Sequence, residues 1–203
     1  PPEGIEDRLT IWESHPRWLV RRWLRMLGAE VARARCEANN VEGPITIRAN
    51  SHLTDSASLA GRLKLEGVAN LPGRVDPDCL RVVDSAGKGA VSFTETPSFE
   101  AGVFIVQDEA ASLAARFSGI QPGDRALDIC AAPGGKTAVI SWMAGPEGEV
   151  IAADSALSRL GRLKSNCARI GAPVRIVAMD AGKPAFGEVF DNVFVDAPCS
   201  GTG

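Results

Sequence analysis

The second half of the chain alternates two hydrophobic patterns, one typical of buried strands and one typical of helices. It predicts strands over residues 125–130, 149–154, 174–178 and 191–196, and helices over residues 136–143 and 157–170. Strands that alternate with helices form a parallel sheet with right-handed crossovers. The sequence therefore predicts an α/β, Rossmann-like sheet, and 203 residues with 45% hydrophobic content are enough to bury its core.

A loop of small residues lies between the first strand and the first helix of this pattern. It comprises Cys130, Ala131, Ala132, Pro133, Gly134, Gly135, Lys136 and Thr137. Its two glycines let the backbone approach a ligand closely, and the helix behind them offers unpaired N–H groups and the positive end of its dipole. Such a loop, at the carboxyl end of the first strand of an open α/β sheet, is where nucleotide-like cofactors bind.

Aspartates stand at or near the ends of the next three strands. Asp154 follows the glycine loop by about 20 residues, the usual position of a carboxylate that binds ribose hydroxyls. Asp180 could accept a hydrogen bond from the exocyclic amine of an adenine, and Asp196 ends the last strand. Because parallel strands end at one edge of a sheet, we expect all three carboxylates beside the loop.

Two cofactors compete for this loop. A nucleoside triphosphate would use a P-loop, and Gly135, Lys136 and Thr137 match the end of that motif. However, Cys130 stands where the first glycine of a P-loop belongs, and Pro133 removes an N–H group that would contact phosphate. S-adenosylmethionine needs only close backbone approach and an acid for its ribose. The loop and Asp154 satisfy that requirement better.

A cysteine follows the last predicted strand, in the segment Asp196-Ala197-Pro198-Cys199-Ser200-Gly201. This order places the thiol of Cys199 at the edge of the sheet where the cofactor is expected. A thiolate there could attack C6 of a cytosine, which makes C5 nucleophilic toward a sulfonium methyl group, and β-elimination would then release the enzyme. Cys199 is therefore the candidate catalytic residue.

The first part of the chain predicts a small α+β domain over residues 1–105, followed by the cofactor domain over residues 106–203. A helical pattern covers residues 12–38, with Ser14 as a candidate cap and Gly28 as a stop or hinge. Strands are predicted at 45–50, at 80–83 and within 99–107, and a helix at 56–66 capped by Thr54 or Asp55. The helical pattern carries six arginines against one acid between His15 and Cys36, at positions 17, 21, 22, 25, 33 and 35. They form either a solvated face or a patch that contacts phosphates.

Composition excludes several classes of protein. The net charge of −3 does not favour bulk binding of polyanions. The sequence has no apolar run of about 18 residues or more, which predicts no membrane span. Five cysteines without CxxC spacing predict neither a disulfide framework nor a zinc site, neither histidine has a metal-ligand partner at suitable spacing, and a reducing, cytoplasmic compartment is expected.

Taken together, residues 127–137 and 196–201 closely resemble two motifs of the Sun-type RNA 5-methylcytosine methyltransferases. The resemblance extends to residues 14–20, 48–50 and 106–112, and so covers nearly the whole chain. It implies a Rossmann-like S-adenosylmethionine-dependent domain in which residues 130–136, Asp154, Asp180 and Asp196 bind the cofactor. It also implies an N-terminal RNA-binding domain, and a substrate cytosine that is methylated on C5 in ribosomal RNA.

One departure from the family pattern affects the role of Cys199. In this family the attacking cysteine lies in a Thr-Cys-Ser motif beyond a fifth strand, and the Pro-Cys cysteine assists product release. The sequence ends at Gly203, before such a motif, so we expect it to be a piece of a larger enzyme with an incomplete sheet. Cys199 as the attacking residue stays open, as do two other readings: a P-loop NTPase, and an RNA-binding module without catalytic activity.

Overall fold

The computed structural model describes residues 3–83, 92–187 and 189–199. The chain divides into two compact units, one that runs to Gly43 and one that begins at Pro44. Residues 70–90 are rich in proline, glycine and aspartate, and positions 84–90 of this stretch lie outside the described residues, as do Ser200 and Gly201 of the Pro-Cys motif. In the part of the chain that is described, no helix has the length and apolar character needed to span a membrane.

The first unit consists of two helices, α1 (Ile5–Ile11) and α2 (Arg17–Asn39). The sequence pattern did not predict α1. Helix α2 is kinked at Gly28, whose φ of +78° confirms the predicted hinge. The prediction that Ser14 caps α2 is wrong, because the helix begins after Pro16, whose carbonyl accepts the first helical hydrogen bonds. The two helices share a core of six residues, namely Leu9, Leu19, Val20, Trp23, Ala32 and Cys36.

Acidic residues on α1 neutralise part of the arginine-rich face of α2. Arg17 lies 2.6 Å from both Glu6 and Asp7, and Arg21 lies 3.0 Å from Glu6. These contacts lower the pKa of Glu6, chiefly through the hydrogen bond from Arg21. The acids of α1 therefore partly occupy two of the six arginines, Arg17 and Arg21.

The second unit begins with an antiparallel sheet of four strands. These are β1 (Thr46–Ala49), β2 (Asn70–Pro72), β3 (Cys79–Val82) and β4 (Phe104–Val106), in the order β2-β3-β1-β4. Helix α3 (Ser56–Leu65) and the short α4 (Pro97–Glu100) precede β2 and β4, and α3 begins with Asp55, whose carboxylate accepts a 2.7 Å bond from the Ser58 N–H. The predicted Asp55 cap is therefore confirmed. The strand predicted within 99–107 is confirmed as β4, and α4 occupies the beginning of that segment.

The second face of this sheet is covered by α5 (Glu109–Arg116), so all four residues of β1 are buried. Arg48, on that face, contacts the carboxylates of Asp76 and Asp78 at 3.3 and 3.1 Å and also donates to the Ser112 hydroxyl. Asp76 is itself fully buried, and it accepts a hydrogen bond from Ser112 as well. A charged strand residue is tolerated inside because opposite charges and hydroxyls surround it.

A parallel sheet follows and confirms the predicted fold class. Its strands β5 (Arg125–Asp128), β6 (Glu149–Asp154), β7 (Arg175–Ala178) and β8 (Asn192–Phe194) are ordered β7-β6-β5-β8. Helix α6 (Gly135–Ala144) connects β5 to β6, and α7 (Leu157–Arg169) connects β6 to β7. The pattern placed these elements within two residues of their observed bounds, and the loop after β5 lies at the carboxyl edge of the sheet.

The two sheets of the second unit are joined through the end of α7. The Asn50 side-chain amide donates to the carbonyls of Gly102 and Ile170, both at 2.9 Å. The Arg169 guanidinium donates to the Phe99 carbonyl at 2.7 Å and lies 3.9 Å above the ring of the same residue. Gly102 has φ +68°, and a Cβ there would lie 2.0 Å from the Arg169 carbonyl oxygen. The chain therefore requires glycine where the sheets meet.

Candidate functional site

The loop between β5 and α6 is held in place by contacts with α7. The Ala132–Pro133 bond is cis, and Gly134, at the N-cap of α6, has φ +105°. A side chain at Gly134 would collide with α7, since its Cβ would lie 2.9 Å from Leu163. On the same side, the Asn166 amide donates to the Pro133 carbonyl at 2.8 Å. The loop therefore follows a fixed path over the end of the sheet.

A cavity of about 210 Å³ opens between this loop and the N-terminal end of α5. It is lined by Val106, Gln107, Asp108, Ala111, Asp128, Cys130, Ala131, Ala132, Pro133, Gly135, Lys136 and Asp196. Seven of the eleven residues predicted for the site therefore line one cavity: Cys130, Ala131, Ala132, Pro133, Gly135, Lys136 and Asp196. The other four, Gly134, Asp154, Asp180 and Cys199, do not line it.

The charged side chains around the cavity are mostly acidic. Asp108, Asp128 and Asp196 contribute carboxyl groups, and Lys136 contributes the cavity's single cation among the described residues. The Lys136 Nζ lies 2.5 Å from Asp196 Oδ2, so this cation is already paired. The cavity favours a cationic or zwitterionic ligand over one with several negative charges.

Asp128 is the most perturbed acid of the site. It is 1% exposed, and its Oδ2 accepts a 2.7 Å hydrogen bond from the Thr137 hydroxyl. Its Oδ1 has no partner among the described residues. Burial raises the pKa of Asp128 to about 6, although the Thr137 hydrogen bond acts in the opposite direction. The group can therefore change its charge close to neutral pH.

Asp154 ends β6 beside the loop, as the sequence predicted, but it is almost fully buried. Its Oδ1 accepts a 2.9 Å bond from the Ala156 N–H and lies 3.2 Å from Arg159. Its Oδ2 accepts a long bond of 3.4 Å from the Ala132 N–H. The carboxylate is therefore connected to the cavity wall through Ala132 rather than facing the cavity itself.

The remaining predicted residues lie further out. Asp180 is exposed and accepts a 2.9 Å bond from the Gly182 N–H. Cys199 is exposed, three residues after Asp196. Cys130 is partly exposed, and burial raises the pKa of its thiol. The predictions for the roles of these three residues stay predictions.

Sequence reasoning assigned no part in ligand binding to Gln107, Asp108 or Asp128, although all three lie within segments that carry the family resemblance, and Asp108 was predicted only to open a helix. Gln107 is 6% exposed, and neither its Oε1 nor its Nε2 has a partner among the described residues. Asp108 caps α5 by accepting a 2.8 Å bond from the Ala110 N–H. A polar residue between a strand and a helix cap was the only signal available for Gln107.

Within residues 3–83, 92–187 and 189–199, no three side chains of histidine, cysteine, aspartate or glutamate are grouped so that they could hold a metal ion. The cysteines at positions 36, 79 and 167 are buried, as expected for small apolar side chains. Burial raises the pKa of Cys79 and that of Cys167 to about 11.

Comparison with protein families gives two matches. A family described as 16S rRNA methyltransferase RsmB/F matches residues 117–203. The ferredoxin-like domain of RsmF/B-like methyltransferases matches residues 15–87. Together the two matched segments include most of the chain, three of the four strands of the antiparallel sheet and all four strands of the parallel sheet.

Individual relatives from bacteria match the chain over nearly its whole length. A probable ribosomal RNA small subunit methyltransferase B of Bacillus subtilis is 33% identical over 99% of this chain and 45% of its own length. A ribosomal RNA small subunit methyltransferase B of Vibrio cholerae is 34% identical over 99% of this chain and 46% of its own. The chain thus spans just under half the length of these relatives.

Solved structures share the fold. The crystal structure of PH0851 superposes with a TM-score of 0.85 at 30% identity, over 98% of this chain and 45% of that one. The structure of NSun6 from Pyrococcus horikoshii with SFG superposes with a TM-score of 0.81 at 24% identity, over 92% of this chain and 71% of that one. At that identity, the second comparison speaks for the fold alone.

Proposed function

The chain belongs to the RsmB/F family of 16S rRNA methyltransferases, and we propose that it binds S-adenosylmethionine for methyl transfer to C5 of a cytosine in ribosomal RNA. The reaction class follows from the family, and the choice of cofactor is supported by the cavity at the carboxyl edge of the parallel sheet. Because ribosomal RNA is the proposed substrate, we assign the protein to the cytoplasm.

The observation that carries the choice of cofactor is the acidic character of the cavity. Asp108, Asp128 and Asp196 stand against one paired lysine, which suits a sulfonium cation and opposes a triphosphate. The P-loop alternative also needs the hydroxyl after the lysine to bind magnesium. That hydroxyl, on Thr137, is fully buried and donates to Asp128 instead.

S-adenosylmethionine fits the residues present, because buried polar atoms of Gln107 and Asp128 at the cavity lack hydrogen-bond partners among the described residues. In this proposal the backbone of residues 130–136 approaches the donor closely, and Asp154 binds the ribose hydroxyls in place of its contact with Arg159. Asp180 binds the exocyclic amine of the adenine. Asp196, paired with Lys136 at the same cavity, also contacts the cofactor in this proposal.

S-adenosylmethionine, when bound, supplies a methyl group carried on a positively charged sulfur. Following the family resemblance, Cys199 acts at the target base and assists product release, and the attacking cysteine belongs to a Thr-Cys-Ser motif. Attack by Cys199 itself is the alternative assignment. A base that reacts in this way must be unstacked, so the target is a loop or flipped nucleotide.

RNA binding is assigned to the first part of the chain. On α2, Arg22 and Arg25 are exposed. Among the described residues, neither of them forms an ion pair with an acid, whereas Arg17 and Arg21 do. Arginines with open donors contact phosphates and release counterions. Arg22→Ala should lower the salt dependence of RNA binding, measured as the slope of log K against log salt, by about 1.

Calorimetry with S-adenosylmethionine and with magnesium ATP tests the cofactor. We expect binding of the first and not of the second, and a loss of at least about 10-fold for Asp154→Ala, because hydrogen bonds to a carboxylate are strong. Glu147→Ala is the matched control, since Glu147 is an exposed acid in the turn between α6 and β6. Binding of ATP alone, weakened by Lys136→Ala, would favour the P-loop NTPase. RNA binding by a folded chain that binds neither ligand would favour the non-catalytic module.

A further inference from the structure

Gln107 is buried in a way that calls for a ligand. The residue is 6% exposed, and neither amide atom has a hydrogen-bond partner among the described residues. Proteins rarely keep buried amide atoms unsatisfied, because such atoms lose their bonds to water without replacement. The side chain lines the cavity beside the loop. A molecule bound there would supply the missing partners.

The antiparallel sheet fixes the position of this amide. Gln107 follows β4 directly, and its backbone N–H donates to the Thr46 carbonyl of β1 at 3.1 Å. The amide lies beside Gly135, the first residue of α6, where an added Cβ would be 3.5 Å from Gln107 Nε2. The amide therefore faces the N-terminal turn of α6, which attracts negatively charged groups.

Asp128 provides a second unsatisfied atom at the same cavity, its Oδ1. Together the two side chains offer N–H donors on Gln107 and acceptors on both residues. An α-amino-acid group is the complement of this set. Its ammonium can donate to Asp128 and to Gln107 Oε1, and its carboxylate can accept from Gln107 Nε2 near the start of α6.

The order of the strands indicates which end of the donor lies here. The ribose acid Asp154 ends β6, whereas Asp128 ends β5 and Asp196 follows β8 on the far side of β5. A ribose bound at Asp154 with its adenine toward β7 leaves the other half of the donor over β5. We propose that Gln107, with Asp128, binds the α-amino-acid end of the methyl donor and determines specificity for it. This inference rests on the proposed function.

The test compares two ligands by calorimetry. S-adenosylmethionine carries the amino-acid end, and 5′-methylthioadenosine keeps the adenine, ribose and sulfur without it. Gln107→Met preserves the length of the side chain but removes the amide. We expect it to weaken S-adenosylmethionine binding about 10- to 100-fold and 5′-methylthioadenosine binding less than about 3-fold. Gln107→Glu should weaken the first ligand at least as much, because it places a negative charge against the ligand carboxylate.

Asp154→Asn serves as the comparison variant, because loss of a ribose contact should weaken both ligands alike. The urea midpoint of ligand-free Gln107→Met should equal or exceed that of the parent chain, since no intramolecular bond is lost. Equal losses for both ligands, an unchanged affinity for S-adenosylmethionine, or a clearly lower urea midpoint would overturn the inference and leave the proposed function standing. If the folded parent chain bound neither ligand, the proposed function itself would fall.

Discussion

Replacement of Asp128 by asparagine should stabilise the protein at neutral pH and leave it nearly unchanged in acid. The carboxyl has an ordinary pKa of 3.8, and burial raises its pKa to about 6 in the folded chain. One pKa unit corresponds to about 1.4 kcal/mol. Ionised Asp128 therefore opposes folding by about 3 kcal/mol at neutral pH, and asparagine, which cannot ionise, removes this cost.

The direction of this pH dependence follows from the order of the pKa values of Asp128 in the unfolded and folded chain. The folded state binds the proton of Asp128 more tightly than the unfolded chain does, so the cost is small below pH 4. It grows as the pH rises through the interval from about 4 to about 6, and it is complete above that interval. The substitution also preserves the local contacts. The Asn oxygen can accept from the Thr137 hydroxyl, and its NH₂ replaces Oδ1, which has no partner to lose among the described residues.

Urea unfolding at pH 4.0 and pH 7.5, followed by circular dichroism, measures the effect. The free energy of unfolding of Asp128→Asn should exceed that of the parent chain by about 3 kcal/mol at pH 7.5 and by less than about 1 kcal/mol at pH 4.0. Asp180→Asn, at an exposed position, should differ from the parent by no more than about 0.5 kcal/mol at either pH. A loss of stability at pH 7.5, or a gain of the same size at both pH values, would refute the assignment of a raised pKa to Asp128.

Two further predictions concern the architecture. Arg48→Met should lower the free energy of unfolding by about 3 kcal/mol, because it leaves the buried Asp76 with fewer partners. Arg33→Met, which removes an exposed ion pair with Glu37, should lower it by less than about 0.5 kcal/mol. Equal urea midpoints for the two variants would contradict this prediction. Gly102→Ala should lower the free energy of unfolding by about 3 kcal/mol or more, because its Cβ would lie 2.0 Å from a backbone oxygen at a residue with φ +68°. Gly61→Ala in α3, where a Cβ would have no neighbour within 4 Å, should raise it by about 0.5–1 kcal/mol. Thermal unfolding of both variants measures the effects, and an unchanged stability of Gly102→Ala would show that the backbone can move there.

Prediction from sequence succeeded where a pattern was long and repeated. The strands and helices around the glycine loop each extend over several residues with a clear period, so their order and their common edge followed directly. β2 was not predicted, because it has three residues and ends in Pro72, and so short a segment has no hydrophobic period that distinguishes it from a loop. It forms at the edge of the sheet, where proline is tolerated.

Burial in the site could not be derived from the sequence, because it depends on elements that are distant in the chain. β1 has the alternation of a half-buried strand, yet Arg48 lies inside because α5, about sixty residues later, covers the second face. In the same way, Gln107 is enclosed only once the loop after β5 folds across from it. Seven of the residues that line the cavity were predicted from the sequence, but the elements that enclose Gln107 and Asp128 were not.

The junction between the two sheets bears on how the chain can be divided. The strand pattern suggests a natural cut near residue 105, yet Ile105 packs in the same core as Val139 and Trp142 of α6. A protein started at residue 106 would lack this apolar side chain, the backbone partner that positions Gln107, and the Asn50 contact to the end of α7. The half of the chain that contains the parallel sheet is thus not an exchangeable module. Swapping the preceding sheet between relatives should succeed only when these contacts are transplanted with it.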